Sequence, residues 1–309
     1  MESLRELRNL IVRHAGPGPV ASSSDDRLGL RFIVARHTPE PTHHVYEPVF
    51  SLVVQGEKRA VLGGKLFTCR AGHFLVASVD LPITIHVSAA TPERPFVALG
   101  MALKPAKVAA LLLETAVADD VPLEPAGLGV SDASTEVLEA VLRLVRLLDH
   151  PRDLSVLGPL AEREILWRLL CSEQDQRVRQ IGLADSRLSQ IARAMRWMRE
   201  NYGRAVRIEE LARVAAMSVT SFHRHFRAVA LMSPLQYMKQ IRLQEARTRL
   251  LAGSEDVTTV GLAVGYDSPS QFSREYKRAY GSPPGQDARL LRASNGAHPP
   301  APAFNQASK

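Results

Sequence analysis

Residues 208–230 read IEELARVAAMSVTSFHRHFRAVA, and residues 258–280, about 50 positions further on, read TTVGLAVGYDSPSQFSREYKRAY. In each stretch a short apolar helix (211–215 in the first, 260–264 in the second) runs into a tight turn. Ser218 or Ser268 then stands at the N-cap of a second helix, where a serine hydroxyl accepts from an N–H that the helix leaves unpaired. Each second helix places aromatics four residues apart, Phe222 with Phe226 and Phe272 with Tyr276. That spacing buries one stripe as core and turns the polar residues between outward. The segment therefore reads as two helix-turn-helix units, each with a second helix split into a packing face and a reading face.

Positive charge gathers on the same segment. Residues 187–285 carry 16 Lys and Arg against 8 Asp and Glu, whereas residues 1–186 carry 20 against 23 and residues 286–309 carry 3 against 1. The whole-chain balance of +7 thus hides an asymmetry suited to a nucleic-acid-binding module tethered to a non-binding domain. A chromatin or RNA-binding role fits less well, because the helix-turn-helix specifies a DNA duplex and RNA readers rely on exposed aromatics. At 309 residues the chain has room for two domains. Residues 1–10 are charged and unlike a signal peptide, and no run approaches 18 apolar residues, so a cytoplasmic protein without a membrane span is expected. Cys69 and Cys171 have no CxxC partner and are expected to be two buried thiols in a reducing compartment.

Along the chain, residues 1–27 read as a helical leader (4–14) followed by a Gly/Pro/Ser/Asp-rich loop (16–26). Residues 28–103 alternate in the manner of strands, in the runs 50–56, 58–69, 73–79 and 83–89. The pair Gly63-Gly64 marks a hairpin. Short strands with frequent turns predict a small β-barrel or jelly roll. Residues 104–186 change to helical period, with a helix starting at Lys104, a second from Glu136 to Leu148, and a third from Pro159 to Cys171 in which Pro159 belongs to the first turn. Residues 172–186 read as a linker and residues 291–309 as a disordered tail.

Several further motifs follow in order: IARAMRWMREN (191–201), the first helix-turn-helix, SPLQYMKQIRLQEARTRLL (233–251), the second helix-turn-helix, and GSPPGQDAR (281–289). With them, residues 187–290 resemble the DNA-binding domain of AraC/XylS transcription regulators along their whole length, and 265–284 is close to that family's most diagnostic signature. The resemblance implies that 233–251 is a rigid connecting helix holding the two recognition helices about 34 Å apart, one turn of the duplex. Carried over residue by residue, the family's base-reading positions fall on Thr220, His223 and Arg224 in the first recognition helix. In the second they fall on Ser270, Gln271, Ser273 and Arg274, with Pro269 able to contribute shape only. An arginine there presents a planar fork to a guanine edge; Arg227, Lys277 and Arg278 are assigned to phosphates. Ala216 departs from the pattern, since a glycine commonly occupies that turn.

Residues 46–103 resemble the cupin-like N-terminal domain of one AraC-type subgroup, most clearly at Val54-Gln55-Gly56-Glu57-Lys58, Gly72-His73 and 78–82, and 159–170 looks like the helix that precedes its DNA-binding domain. Cupins are also metalloenzymes, which makes a metal-dependent cupin enzyme fused to a DNA-binding domain the competing reading. Such a site needs His and Glu ligands on neighbouring strands. His43 and His44 are adjacent and would face opposite sides of a strand, and Glu57, His73 and His86 lack the HxH-plus-Glu spacing. They read instead as rim histidines, a charged strand end at Glu57-Lys58, and a turn at Gly72-His73. No phosphate loop or nucleophile motif is present.

These readings predict a two-domain α+β protein: an N-terminal cupin-like β-barrel with flanking helices (28–103 and 104–186) and a C-terminal all-α domain with two helix-turn-helix subdomains (187–290). The expected function is sequence-specific regulation of transcription, as an activator, with no catalytic residues, metal or cofactor. The expected partners are double-stranded DNA, RNA polymerase, a small-molecule effector and a second copy of the chain.

Overall fold

The computed structural model describes residues 2–115, 126–183, 186–253 and 256–295. They form two compact units that divide between Ser189 and Gln190.

The N-terminal unit opens with α1 (Glu2–Ala15), whose Leu7 and Ile11 are fully buried. The strands follow as β1 (Val20–Asp25), β2 (Leu30–Ala35), β3 (Thr42–Tyr46), β4 (Val49–Gln55), β5 (Glu57–Leu62), β6 (Lys65–Arg70), β7 (His73–Ala77), β8 (Leu81–Ser88) and β9 (Phe96–Ala102). After α2 (Pro105–Thr115) comes β10 (Leu128–Asp132), then α3 (Thr135–Arg146), α4 (Pro151–Leu170) and α5 (Asp175–Gly182). The predicted barrel is two separate antiparallel sheets. One has six strands in the order β1-β2-β9-β4-β7-β10 and the other four in the order β3-β8-β5-β6, and among the described residues no strand pairing closes them. Gly63 and Gly64 both have positive φ (57° and 82°) and join Leu62 to its ladder partner Lys65, the two-residue turn that glycines permit. Phe32, Phe50, Leu52, Phe74, Val97 and Leu99 on one face of the larger sheet share a core with apolar residues of α1, α3 and α4.

Three boundaries differ from the expectations. β1 lies in the stretch read as loop, because its serines hide a strand whose six residues all find ladder partners in β2. β10 lies in the stretch read as helical; it is a short edge strand on β7. α5 occupies part of the stretch read as linker, with Val178 and Ile181 buried against the N-terminal core. Pro159 is interior to α4, which begins eight residues earlier at Pro151. Leu154, Ala161, Ile165 and Leu169 are buried along that helix, and this packing outweighs the one backbone hydrogen bond that Pro159 cannot make. Cys69 is buried, but Cys171, at the exposed end of α4, is not.

The C-terminal unit is helical: α6 (Arg187–Glu200), α7 (Ile208–Val214), α8 (Val219–Ala230), α9 (Pro234–Ala252), α10 (Val257–Ala263), α11 (Pro269–Tyr280) and α12 (Pro284–Asn295). α12 continues past the expected start of the tail at 291, and 296–309 lie outside the described residues. No described helix is long and apolar enough to cross a membrane.

Candidate nucleic-acid interface

Both helix-turn-helix units end their first helix in the same way. Ala216 N donates to Arg213 O (2.9 Å) and Met217 N to Ala212 O (2.9 Å); Gly265 N donates to Leu262 O (2.9 Å) and Tyr266 N to Gly261 O (3.0 Å). This paired pattern requires a left-handed residue after the helix, and it is Ala216 at φ 52° in one unit and Gly265 at φ 87° in the other. Alanine bears a conformational cost there that glycine does not. The second helices then start on matching caps, with Ser218 Oγ accepting from Ser221 N and Ser268 Oγ from Gln271 N.

Counting from those caps, α8 and α11 present the same outer face. At two, five, six and nine residues beyond the cap stand Thr220, His223, Arg224 and Arg227 in α8, and Ser270, Ser273, Arg274 and Lys277 in α11. All are exposed except Ser273, which is half-buried. Arg278 is exposed one position further on. The packing face is aromatic in both: Phe222 and Phe226 stack at 5.4 Å between centroids and Phe226 meets Tyr237 of α9 edge-on, while Phe272 packs on Tyr266 and Tyr276. Gln271 is exposed but also hydrogen-bonds Glu275. Burial pushes the Glu275 carboxyl up, yet hydrogen bonds from Lys239, Tyr266 and Gln271 overcome it and hold the group below the usual carboxylate range. The predicted reading did not single out His225, which is buried behind the outer face with its Nε2 3.2 Å from Arg224 Nη2; nothing in its spacing separates it from His223 except the core stripe.

α9 connects the two units and is fixed at its start by a reciprocal cap between Ser233 and Gln236. From its middle, Arg242 donates Nε to Tyr202 O (2.8 Å), Nη2 to Arg204 O (2.9 Å) and Nη1 to Gly265 O (2.7 Å). One guanidinium thus joins the loop before α7 to the turn before α11. A groove of about 550 Å³ opens beside it, lined by Leu211, Pro234, Met238, Tyr266 and Gln271 among others. At the far end, Asp287 of α12 accepts from Tyr276 OH (2.8 Å) and Arg247 Nε (3.0 Å).

In the N-terminal unit three of the residues considered for a metal, His43, His73 and Glu57, have other partners. His43 Nδ1 lies 2.9 Å from Thr84 Oγ1, His73 Nε2 is 3.1 Å from Asp132, and Glu57 accepts from Arg59, Arg70 and Ser88. His43 and His44 sit on β3, an edge strand of the four-stranded sheet. Among the described residues no three His, Cys, Asp or Glu side chains gather as metal ligands. Lys58 is not part of a charged strand end: its side chain points between the sheets and is 3% exposed.

The comparisons agree with this architecture. The model of the AraC-type transcriptional regulator N-terminus matches residues 28–177, and a helix-turn-helix domain model matches 211–289. The chain belongs to the AraC family of transcriptional regulators. It is 26% identical over 150 residues to the transcriptional activator RhaS of Yersinia pestis, covering 48% of this chain and 54% of that one. To the virulence regulon activator VirF of Yersinia enterocolitica it is 27% identical over 172 residues, covering 54% and 61%. The chain therefore spans about half the length of the curated relatives it matches. A ToxT structure from Vibrio cholerae superposes over 84% of this chain and 98% of that one with a TM-score of 0.56 at 8% identity, which is a likeness of fold.

Proposed function

We propose that this protein is a sequence-specific DNA-binding activator of transcription, and that one chain reads two successive major-groove segments through α8 and α11. The observation that carries this reading is the identical register of the two outer faces from their serine caps, on helices tied to one connecting helix. Thr220, His223 and Arg224 read bases in one segment and Ser270, Gln271, Ser273 and Arg274 in the other, while Arg227, Lys277 and Arg278 neutralise phosphates. Gln271 must exchange its bond to Glu275 for a base edge, which makes it the weakest of the readers. Bound at a promoter in the cytoplasm, the chain meets RNA polymerase. Its N-terminal unit senses a small molecule or pairs with a second copy, and acts by favouring one of two arrangements of the protein. We assign it no enzymatic step.

The test is a titration of the full chain against its operator at several salt concentrations. Affinity that falls steeply with salt, with a preference for one sequence over scrambled duplex at every concentration, supports the reading; indifference to sequence refutes it.

A further inference from the structure

The packing stripe of α8 carries one residue that packing alone does not require. Phe222, Phe226 and Val229 fill that stripe, and His225, 6% exposed and one turn before Val229, stands among them. An apolar side chain would bury there without a polar cost, whereas an imidazole has to be hydrogen-bonded to offset its desolvation. Its Nε2 lies 3.2 Å from Nη2 of Arg224. A guanidinium has donors only, so in this pair Nε2 accepts and the ring carries its proton on Nδ1.

The bond ties an exposed side chain to a buried one. An untethered arginine on a helix surface loses much of its rotamer freedom when it meets a base, and a bond made beforehand removes part of that loss. One N–H given to His225 leaves others for the bidentate contact that a guanine edge takes. α11 supplies the internal comparison. Arg274 stands at the same distance from its cap and is equally exposed, but the residue behind it is Glu275, whose carboxylate accepts from Lys239 and Tyr266. Among the described residues no hydrogen bond holds Arg274. The two helices thus carry the same reader in the same register, one tethered from behind and the other not.

We propose that His225 is a positioning residue for base readout: it holds the guanidinium of Arg224 ready for its base, so that α8 discriminates at that base more sharply than α11 does through Arg274. This deepens, and rests on, the assignment of Arg224 as a base reader. His225 touches no base itself. It acts by restricting Arg224 before DNA arrives, which favours the cognate site and gives nothing to a site where the arginine finds no partner.

The experiment is competition binding of the full chain to the duplex that the wild type selects from a randomised pool, and to duplexes singly substituted at each base pair. Arg224→Ala marks the position that Arg224 reads. There His225→Leu, which fills the stripe and offers no acceptor, is expected to lose roughly three- to tenfold in discrimination, the worth of one immobilised side chain. Discrimination in the α11 block and the salt slope stay at wild-type values. His225→Gln, which returns an acceptor, recovers most of the loss. A histidine that served packing alone would shift the melting temperature and leave discrimination unchanged. Should His225→Leu fail to fold, His225→Met, with its adaptable side chain, takes its place. The proposal is overturned if the apolar variant keeps discrimination within about twofold of the wild type, below the range set by one side chain. It is also overturned if that variant loses preference in both blocks alike, or if His225→Gln discriminates no better. In those cases a position relaxed by Arg224→Ala still upholds the base reader; if Arg224→Ala relaxes none, that reading fails and the positioning role falls with it.

Discussion

Arg242 Nη1 donates to the carbonyl oxygen of Gly265 at 2.7 Å, while the same guanidinium reaches Tyr202 O and Arg204 O on the other side. The fork therefore sets the connecting helix against both helix-turn-helix units at once. Arg242→Ala leaves three carbonyls without this donor and is expected to destabilise the C-terminal unit by about 2–3 kcal/mol, on the scale of hydrogen bonds to a charged group. Arg242→Lys recovers little, because an ammonium cannot span three acceptors in one plane. Chemical denaturation of both variants checks this, and a loss under about 0.5 kcal/mol for the alanine variant, the size of an ordinary surface change, would contradict it.

A second tie closes the far side of the unit. Asp287 is buried and accepts from Tyr276 OH and Arg247. Asp287→Ala strands a buried hydroxyl and a guanidinium and is expected to cost about 3–5 kcal/mol. Tyr276→Phe removes one hydrogen bond and keeps the ring among Phe272 and Tyr280, so about 1 kcal/mol is expected. Denaturant midpoints of the two variants, compared with the wild type, give the ratio directly.

The helix-turn-helix units were legible because their signals are local. Ser218, Ser233 and Ser268 each accept from a backbone N–H at the start of a helix, and the aromatic stripe follows from helical period alone. The serine-rich β1 and the short β10 were not legible, since what makes them strands is a ladder partner far along the chain. Lys58 misled for the same reason: a lysine beside Glu57 at the start of a strand reads as solvated until the second sheet is placed over it. Pro159 marks a first turn in sequence, and only the buried side of α4 explains why the helix runs through it.

Acid should weaken the C-terminal unit through Glu275. Its carboxyl is held below the ordinary range by Lys239, Tyr266 and Gln271 despite burial. A group depressed in the folded state stabilises it above the unfolded value, and that contribution fades as pH falls through the folded one. The melting temperature is therefore expected to stay level from neutral pH down to about 5 and to fall as the pH passes through the ordinary glutamate value of about 4.3 and on below it. Glu275→Gln should start lower at neutral pH and show a shallower decline. Parallel curves for the two proteins would remove Glu275 from the account.

The central claim is that one chain reads DNA with two separate faces, and selection of bound duplexes from a randomised pool tests it most directly. The wild type should enrich a site with two blocks of fixed bases about one helical turn apart. Arg224→Ala should relax preference in one block and Arg274→Ala in the other, each by roughly 1–3 kcal/mol at a single position, while Lys277→Ala weakens all sequences alike and lowers the salt slope by about one. A pool that shows no enrichment, or variants at Arg224 and Arg274 that lose affinity uniformly without altering either block, would contradict the account.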